Sequence, residues 1–167
     1  FNLLGPLTNP AGAAAHVLGV FDARISEMMA RALDALGCRS AFVVHGADGL
    51  DEISLSGETH VTELRDGAVT TYTVTPEDFG LNHAPLKALA GGDSVANAQI
   101  ILRILEGDPG PPCDIVLANA AAALVAAGLA SDWRSGVALA AHSIDSGAAR
   151  RKLDELTEFT NAQPLMS

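Results

Sequence analysis

The sequence predicts an α/β fold, a twisted mixed sheet flanked by helices, and three observations carry that expectation. A strand, a helix and a second strand follow one another between His16 and Val44, which is the sequence form of a β-α-β unit. A hairpin signal, Asp66-Gly67, sits between two β-rich segments, so antiparallel pairing joins the parallel pair. From Asp93 onward the chain reads as helix throughout. Its 167 residues suit a single domain able to bury a sizeable core.

Each element has a local reason. Phe1 to Pro10 carries the breakers Gly5-Pro6 and Asn9-Pro10 and reads as an ordered loop. His16 to Phe21 is a strand by its Val17, Leu18, Val20 and Phe21 content. Asp22 then caps a helix whose Ile25, Met28, Met29, Ala32, Leu33 and Leu36 recur at helical spacing, with Gly37 as its C-terminal stop. Ala41 to Val44 is a short apolar run, the mark of a buried strand. Ile53 to Ser56 alternates, and Thr59 to Leu64 and Val69 to Val74 flank the hairpin turn. Thr75-Pro76-Glu77-Asp78 has the order a helix start prefers, but Gly80 and Pro85 leave room only for a short turn.

Asp93 or Ser94 caps the next helix, with Val95, Ala98, Ile101, Leu102 and Leu105 as its apolar stripe and Gly107 as its end. Cys113 to Ala127 is apolar on nearly every face and small in its side chains, which predicts a central helix. Its polar interior residue Asn119 needs partners if buried. Two more helices are expected, Asp132 to Ile144 and Ser146 to Thr160, the second burying Leu153, Leu156 and Phe159.

Composition narrows the partners. Hydrophobic residues make up 49% and aromatics only 4%, so the interior is built from Ala, Val, Leu and Ile. Ten basic residues against twenty acidic ones give a net charge of -10, which repels nucleic acid and anionic membranes. The basic cluster Arg150-Arg151-Lys152 is followed at once by Asp154 and Glu155 and reads as a solvated helix face. Cys38 and Cys113 have neither disulfide-framework nor zinc spacing, and free thiols in a reducing cytoplasm are the expectation. No uninterrupted run of about 18 apolar residues is present. The opening Phe1-Asn2-Leu3 has neither a basic start nor an initiating methionine, and hints at sequence missing upstream.

The chemistry-bearing stretch is His45-Gly46-Ala47-Asp48-Gly49-Leu50-Asp51-Glu52, the turn that follows the Ala41 to Val44 strand. In a wound α/β sheet this is the end where ligands collect. Two adjacent carboxylates, Asp51 and Glu52, are the oxygen ligands a hard cation such as Mg2+ takes while leaving room for substrate phosphates. The same pair in a merely solvated turn is the alternative. The five histidines lack ligand spacing, though His45 ends the strand that delivers the acids. No glycine-rich phosphate loop is present, so a phosphate site made by this chain alone is incomplete. Neither a nucleophile nor a general base can be assigned.

Two segments go beyond this chemistry. Phe1-Asn2-Leu3-Leu4-Gly5-Pro6-Leu7-Thr8-Asn9-Pro10-Ala11 and Val44-His45-Gly46-Ala47-Asp48-Gly49-Leu50-Asp51-Glu52-Ile53-Ser54 closely resemble the anthranilate phosphoribosyltransferase family. Supporting stretches are Thr75 to Gly80, Gly91-Gly92-Asp93, Asn119 to Leu124 and Ile144 to Ala148. The resemblance implies a phosphoribosyltransferase-like catalytic domain, shared in class with nucleoside phosphorylases. It implies transfer of the phosphoribosyl group of phosphoribosyl pyrophosphate to the amine of anthranilate in tryptophan biosynthesis. It also implies that Asp51 and Glu52 hold Mg2+ on the pyrophosphate. The resemblance further implies a homodimer at full length, while the net charge and the free thiols give the expectation of a cytoplasmic enzyme with no nucleic-acid or membrane partner.

Against that family, residues 1–167 look like one domain, the C-terminal part of the α/β catalytic domain. The N-terminal helical domain and the loops that hold the donor are absent, so the chain alone is expected not to turn over. The rivals are a pyrimidine nucleoside phosphorylase, which needs no magnesium-bound pyrophosphate, a non-catalytic nucleic-acid-binding relative, which the charge opposes, and a truncated product with no function of its own. Strands supplied from before Phe1 in the family predict an unpaired sheet edge here, exposure of Phe1, Leu3 or Leu4, and self-association.

Overall fold

A computed structural model of the chain describes residues 5–10 and 12–162. Strands β1 (Ala15–Gly19), β2 (Ser40–Gly46), β3 (Thr59–Arg65) and β4 (Ala68–Val74) form one sheet in that order. The α-helices among the described residues are α1 (Ser26–Ala35), α2 (Ser94–Leu105), α3 (Pro111–Ala126), α4 (Trp133–Asp145) and α5 (Ala148–Ala162). β1 and β2 pair in parallel across α1, whereas β2 with β3 and β3 with β4 are antiparallel. The expected mixed sheet of an α/β fold is therefore present. Phe1, Leu3 and Leu4, whose exposure the sequence predicts, lie outside the described residues.

The apolar run in β2 exists because both faces of the strand are covered. Phe42 and Val44 pack with Ala118, Ala121, Ala122 and Val125 of α3, while Ala41 and Val43 pack with Met29, Ala30 and Leu33 of α1. Small side chains let the layers approach closely. A Cβ added at Gly136 of α4 would lie 2.9 Å from the Ala121 Cβ and 3.0 Å from its backbone, so α4 rests directly on α3. Trp133 closes that end, with its ring 4.8 Å from Phe42 and 5.1 Å from Phe79.

The turn chemistry agrees with the sequence. Asp66 and Gly67 both take positive φ, 47° and 82°, the backbone of a type I′ hairpin turn between the paired Arg65 and Ala68. Thr75 and Asp78 form a capping box on the short turn Pro76–Phe79, and Asp93 caps α2 by accepting from the Ala96 N–H. Cys38 and Cys113 are free, as expected. Arg150 pairs with Asp154 and Glu106, and Lys152 with Glu155, all on exposed surface.

Several expectations need correction. β1 stops at Gly19, and Phe21 is 65% exposed instead of completing the strand. Asp22 caps a tight turn, Ala23–Ile25, because its carboxylate takes both the Arg24 N–H and the Arg24 guanidinium; α1 begins only at Ser26. The apolar stripe of α2 is largely uncovered, with Val95 65% and Ile101 50% exposed, and the buried residue of that helix is Ile104. On α5, Leu156 and Phe159 are 57% and 64% exposed, and no residue of the helix is buried. Periodicity identifies these faces as apolar, but nothing among the described residues lies over them.

Candidate functional site

The loop after β2 lies where the carboxyl ends of the parallel strands β1 and β2 meet, the position at which wound sheets gather ligands. A reverse turn starts it. The Gly46 N–H donates to the Leu50 carbonyl at 2.8 Å, the Gly49 N–H donates to the Gly46 carbonyl at 2.9 Å, and Gly49 takes φ 93°, which a side chain would oppose. Asp48 then works inside the loop. Its carboxylate accepts from the Ser54 hydroxyl at 2.6 Å, the Ser56 hydroxyl at 2.5 Å and the Leu50 N–H at 3.2 Å. Burial by itself would raise the pKa of Asp48, but the two serine hydroxyls and the Leu50 N–H together outweigh it and hold the carboxyl below its ordinary value.

Ile53, Ser54 and Leu55 are buried although the segment joins no strand ladder. Its backbone groups are satisfied from elsewhere: the Ser54 N–H donates to the Thr59 hydroxyl at 2.9 Å, and the Leu55 carbonyl accepts from the Ala84 N–H at 2.9 Å. At Ile53 the partner is Asn119 of α3. The carboxamide oxygen accepts from the Ile53 N–H at 2.9 Å, and the amide nitrogen donates to the Ile53 carbonyl at 3.1 Å and to the Ile115 carbonyl at 3.0 Å. The polar residue that the sequence requires to find partners finds three. Leaving the Ile53 groups unpaired would cost about 1–3 kcal/mol each.

Between these anchors Asp51 and Glu52 are exposed, and neither takes part in an ion pair among the described residues. Beneath Asp51 the fit to the end of β1 is close. A Cβ added at Gly19 would overlap the Asp51 carbonyl oxygen. Glu52 opens onto a cleft of about 620 Å³ that Leu50, Leu86, Lys87, Leu89, Ala90 and Ile115 also line. A larger apolar hollow of about 720 Å³ among α2, α3, α4 and α5 does not include the acidic pair.

Among the described residues no group of three or more His, Cys, Asp and Glu side chains is placed to hold a metal. Asp51 and Glu52 would by their chemistry supply two hard oxygen donors. That donor set fits a cation such as Mg2+, which keeps waters and bridges to phosphates, and does not fit a fully protein-enclosed metal. His45 is engaged away from the pair. Its Nδ1 bonds the Val20 carbonyl at 2.8 Å, tying the ends of β1 and β2 together. Of the residues that shape the loop, Asp48 and Gly19 carry no readable sign in the sequence. Asn119 is marked there only as a polar residue in an apolar helix.

Comparison with known proteins shows the family of the chain. The profile of the glycosyl transferase family, a/b domain, matches residues 1–150. Anthranilate phosphoribosyltransferase of Anaeromyxobacter dehalogenans is 60% identical over 160 residues, which is 96% of this chain and 47% of that protein. The crystal structure of anthranilate phosphoribosyltransferase from Thermus thermophilus superposes with a TM-score of 0.87 at 45% identity, covering 96% of this chain and 47% of that one. The Saccharomyces cerevisiae enzyme in complex with phosphoribosyl pyrophosphate and Mg gives a TM-score of 0.81 at 31% identity, over 90% of this chain and 44% of that one. The chain spans about half the length of the curated relatives it matches. No described helix is long and apolar enough to cross a membrane.

Proposed function

The chain belongs to the glycosyl transferase family through its α/β domain, and from that membership we propose that it forms the metal-holding part of an anthranilate phosphoribosyltransferase. In the reaction the amine of anthranilate forms a bond to the anomeric carbon of phosphoribosyl pyrophosphate as the bond to pyrophosphate breaks, and the amine gives up a proton. Negative charge gathers on the departing pyrophosphate while the ribose carbon becomes cation-like. Asp51 and Glu52 are the residues that would hold Mg2+, whose role when bound is to neutralise that charge. The exposed pair, unengaged by any basic side chain among the described residues and set at the carboxyl ends of β1 and β2, is the observation that carries the reading.

On this reading residues 1–167 act as one unit, the C-terminal part of the catalytic domain, in a cytoplasmic enzyme that is a homodimer at full length. Its ligands are phosphoribosyl pyrophosphate and anthranilate, with no nucleic-acid or membrane partner. The chain's own share of the work is to fix the acidic loop. The donor-holding loops come from the remainder of such an enzyme.

The test is made in the intact enzyme that carries this segment, following loss of anthranilate fluorescence. Asp51→Asn or Glu52→Gln is expected to lower the rate and to raise the Mg2+ concentration needed for half-maximal activity. Both side chains are exposed, so stability should change by no more than about 0.5 kcal/mol. Loss of folding with an unchanged metal requirement would make the pair structural and defeat the assignment.

A further inference from the structure

We propose that Asn119 is a positioning residue for the acidic pair: by pairing its carboxamide with both backbone groups of Ile53, it sets the affinity of the loop for a divalent cation. The inference rests on the metal reading of Asp51 and Glu52 and adds to it a residue on a different element, 66 positions along the chain from Ile53.

The backbone bonds of the loop single this residue out. On the amino side the turn is closed by the Gly46 N–H on the Leu50 carbonyl and by Asp48 on the Leu50 N–H. On the carboxyl side Thr59 holds Ser54. Among the described residues, the backbone from Asp51 through Ile53 takes its hydrogen bonds from Asn119 alone. Two of its three bonds meet the residue directly after Glu52, and they engage N–H and carbonyl together, as a neighbouring strand would.

That two-point pairing holds the two peptide groups on either side of the Ile53 Cα, the first of which joins Ile53 to Glu52. The third bond, to the Ile115 carbonyl one turn earlier in α3, fixes the carboxamide itself. Ile115 also lines the cleft onto which Glu52 opens, so one turn of α3 both walls the cleft and holds the loop. Side chains that orient metal ligands from behind typically change metal affinity about 10–100-fold when removed. Holding Ile53 is such an arrangement, made through the backbone.

Asn119→Ser separates the tether from the helix. A serine can still bond the carbonyl four residues back, here that of Ile115, but it is too short to engage Ile53 at both ends. In the 15N-labelled intact enzyme that carries this segment, with inorganic pyrophosphate present, Mn2+ serves as the paramagnetic probe, and broadening of the Asp51 and Glu52 amide signals reports its binding. The expected result is that Asn119→Ser needs about tenfold more Mn2+ for the same broadening, while the signals of β2, β3 and β4 stay in place.

An unchanged Mn2+ dependence in Asn119→Ser would overturn the positioning role and leave the metal reading standing. No broadening at the pair in the unaltered enzyme, or undiminished broadening in Glu52→Gln, would overturn the metal reading and this inference with it. If the serine variant does not fold, hydrogen exchange in the unaltered enzyme with pyrophosphate present decides between the outcomes. Coupling between sites is reciprocal, so Mg2+ should slow exchange at the Ile53 amide, and exchange that does not respond would refute the coupling.

Discussion

At Gly19 the end of β1 has no room for a side chain, because the Asp51 carbonyl occupies the place where a Cβ would go. The obstacle is backbone, which cannot swing aside as the tip of a long side chain can. Gly19→Ala must therefore push the acidic loop away from the sheet or bend the strand. Overpacking of this kind costs about 1–3 kcal/mol. A lower urea midpoint with an unchanged slope is the expected outcome, and a midpoint equal to that of the parent would show that the loop yields freely. Gly46 repeats the logic one strand over, where an added Cβ would lie 3.1 Å from Ser54 and would also crowd the Asp48 carboxylate. Neither glycine has the positive φ that marks a turn, so their requirement comes from close contact, at Gly19 with the distant Asp51 and at Gly46 with the loop that follows it. The sequence around them, a strand ending in glycine, carries no sign of it.

The loop after β2 behaves as an element in its own right, braced by Asp48 from within and by Asn119 from outside. Asp48 makes its bracing pH-dependent. Its carboxyl titrates below the ordinary value in the folded chain, so its contribution is fully present above the unfolded value of about 3.9 and is lost as pH falls through the folded one. The stability difference between the parent and Asp48→Asn should accordingly be largest near neutrality and shrink in acid. A difference that stays constant from about pH 6 down to about pH 3 would exclude a charge-dependent brace. Helices α2 and α5 mark the limit of local signals at this scale. Those signals place both helices along the chain, down to the Asp93 cap and the Gly107 stop, yet Val95, Ile101, Leu156 and Phe159 face outward. Periodicity reports that a helix has an apolar face. Whether anything covers that face is a matter of tertiary packing.

At the scale of the whole molecule, β1 and β4 are the outer strands among the described residues, and an apolar hollow of about 720 Å³ opens among the helices. Unpaired edges template association, and contiguous apolar patches beyond a few hundred Å² are rare on stable monomers. The chain is thus expected to self-associate despite its net charge of -10, seen as a sedimentation coefficient that rises with concentration. A compact monomer at high concentration would mean that these faces are covered from within the chain.

Much of this architecture is legible in the residues, because its causes are local. Turn residues, caps and the period of apolar positions determine the mixed sheet, the type I′ hairpin at Asp66-Gly67 and the central helix α3, and the adjacent acids Asp51 and Glu52 mark the candidate site. Tertiary structure alone decided which backbone groups the loop would borrow from Asn119, how closely Asp51 would sit on Gly19, and which apolar faces would stay open. Those outcomes turn on distances between segments tens of residues apart, which no local pattern encodes.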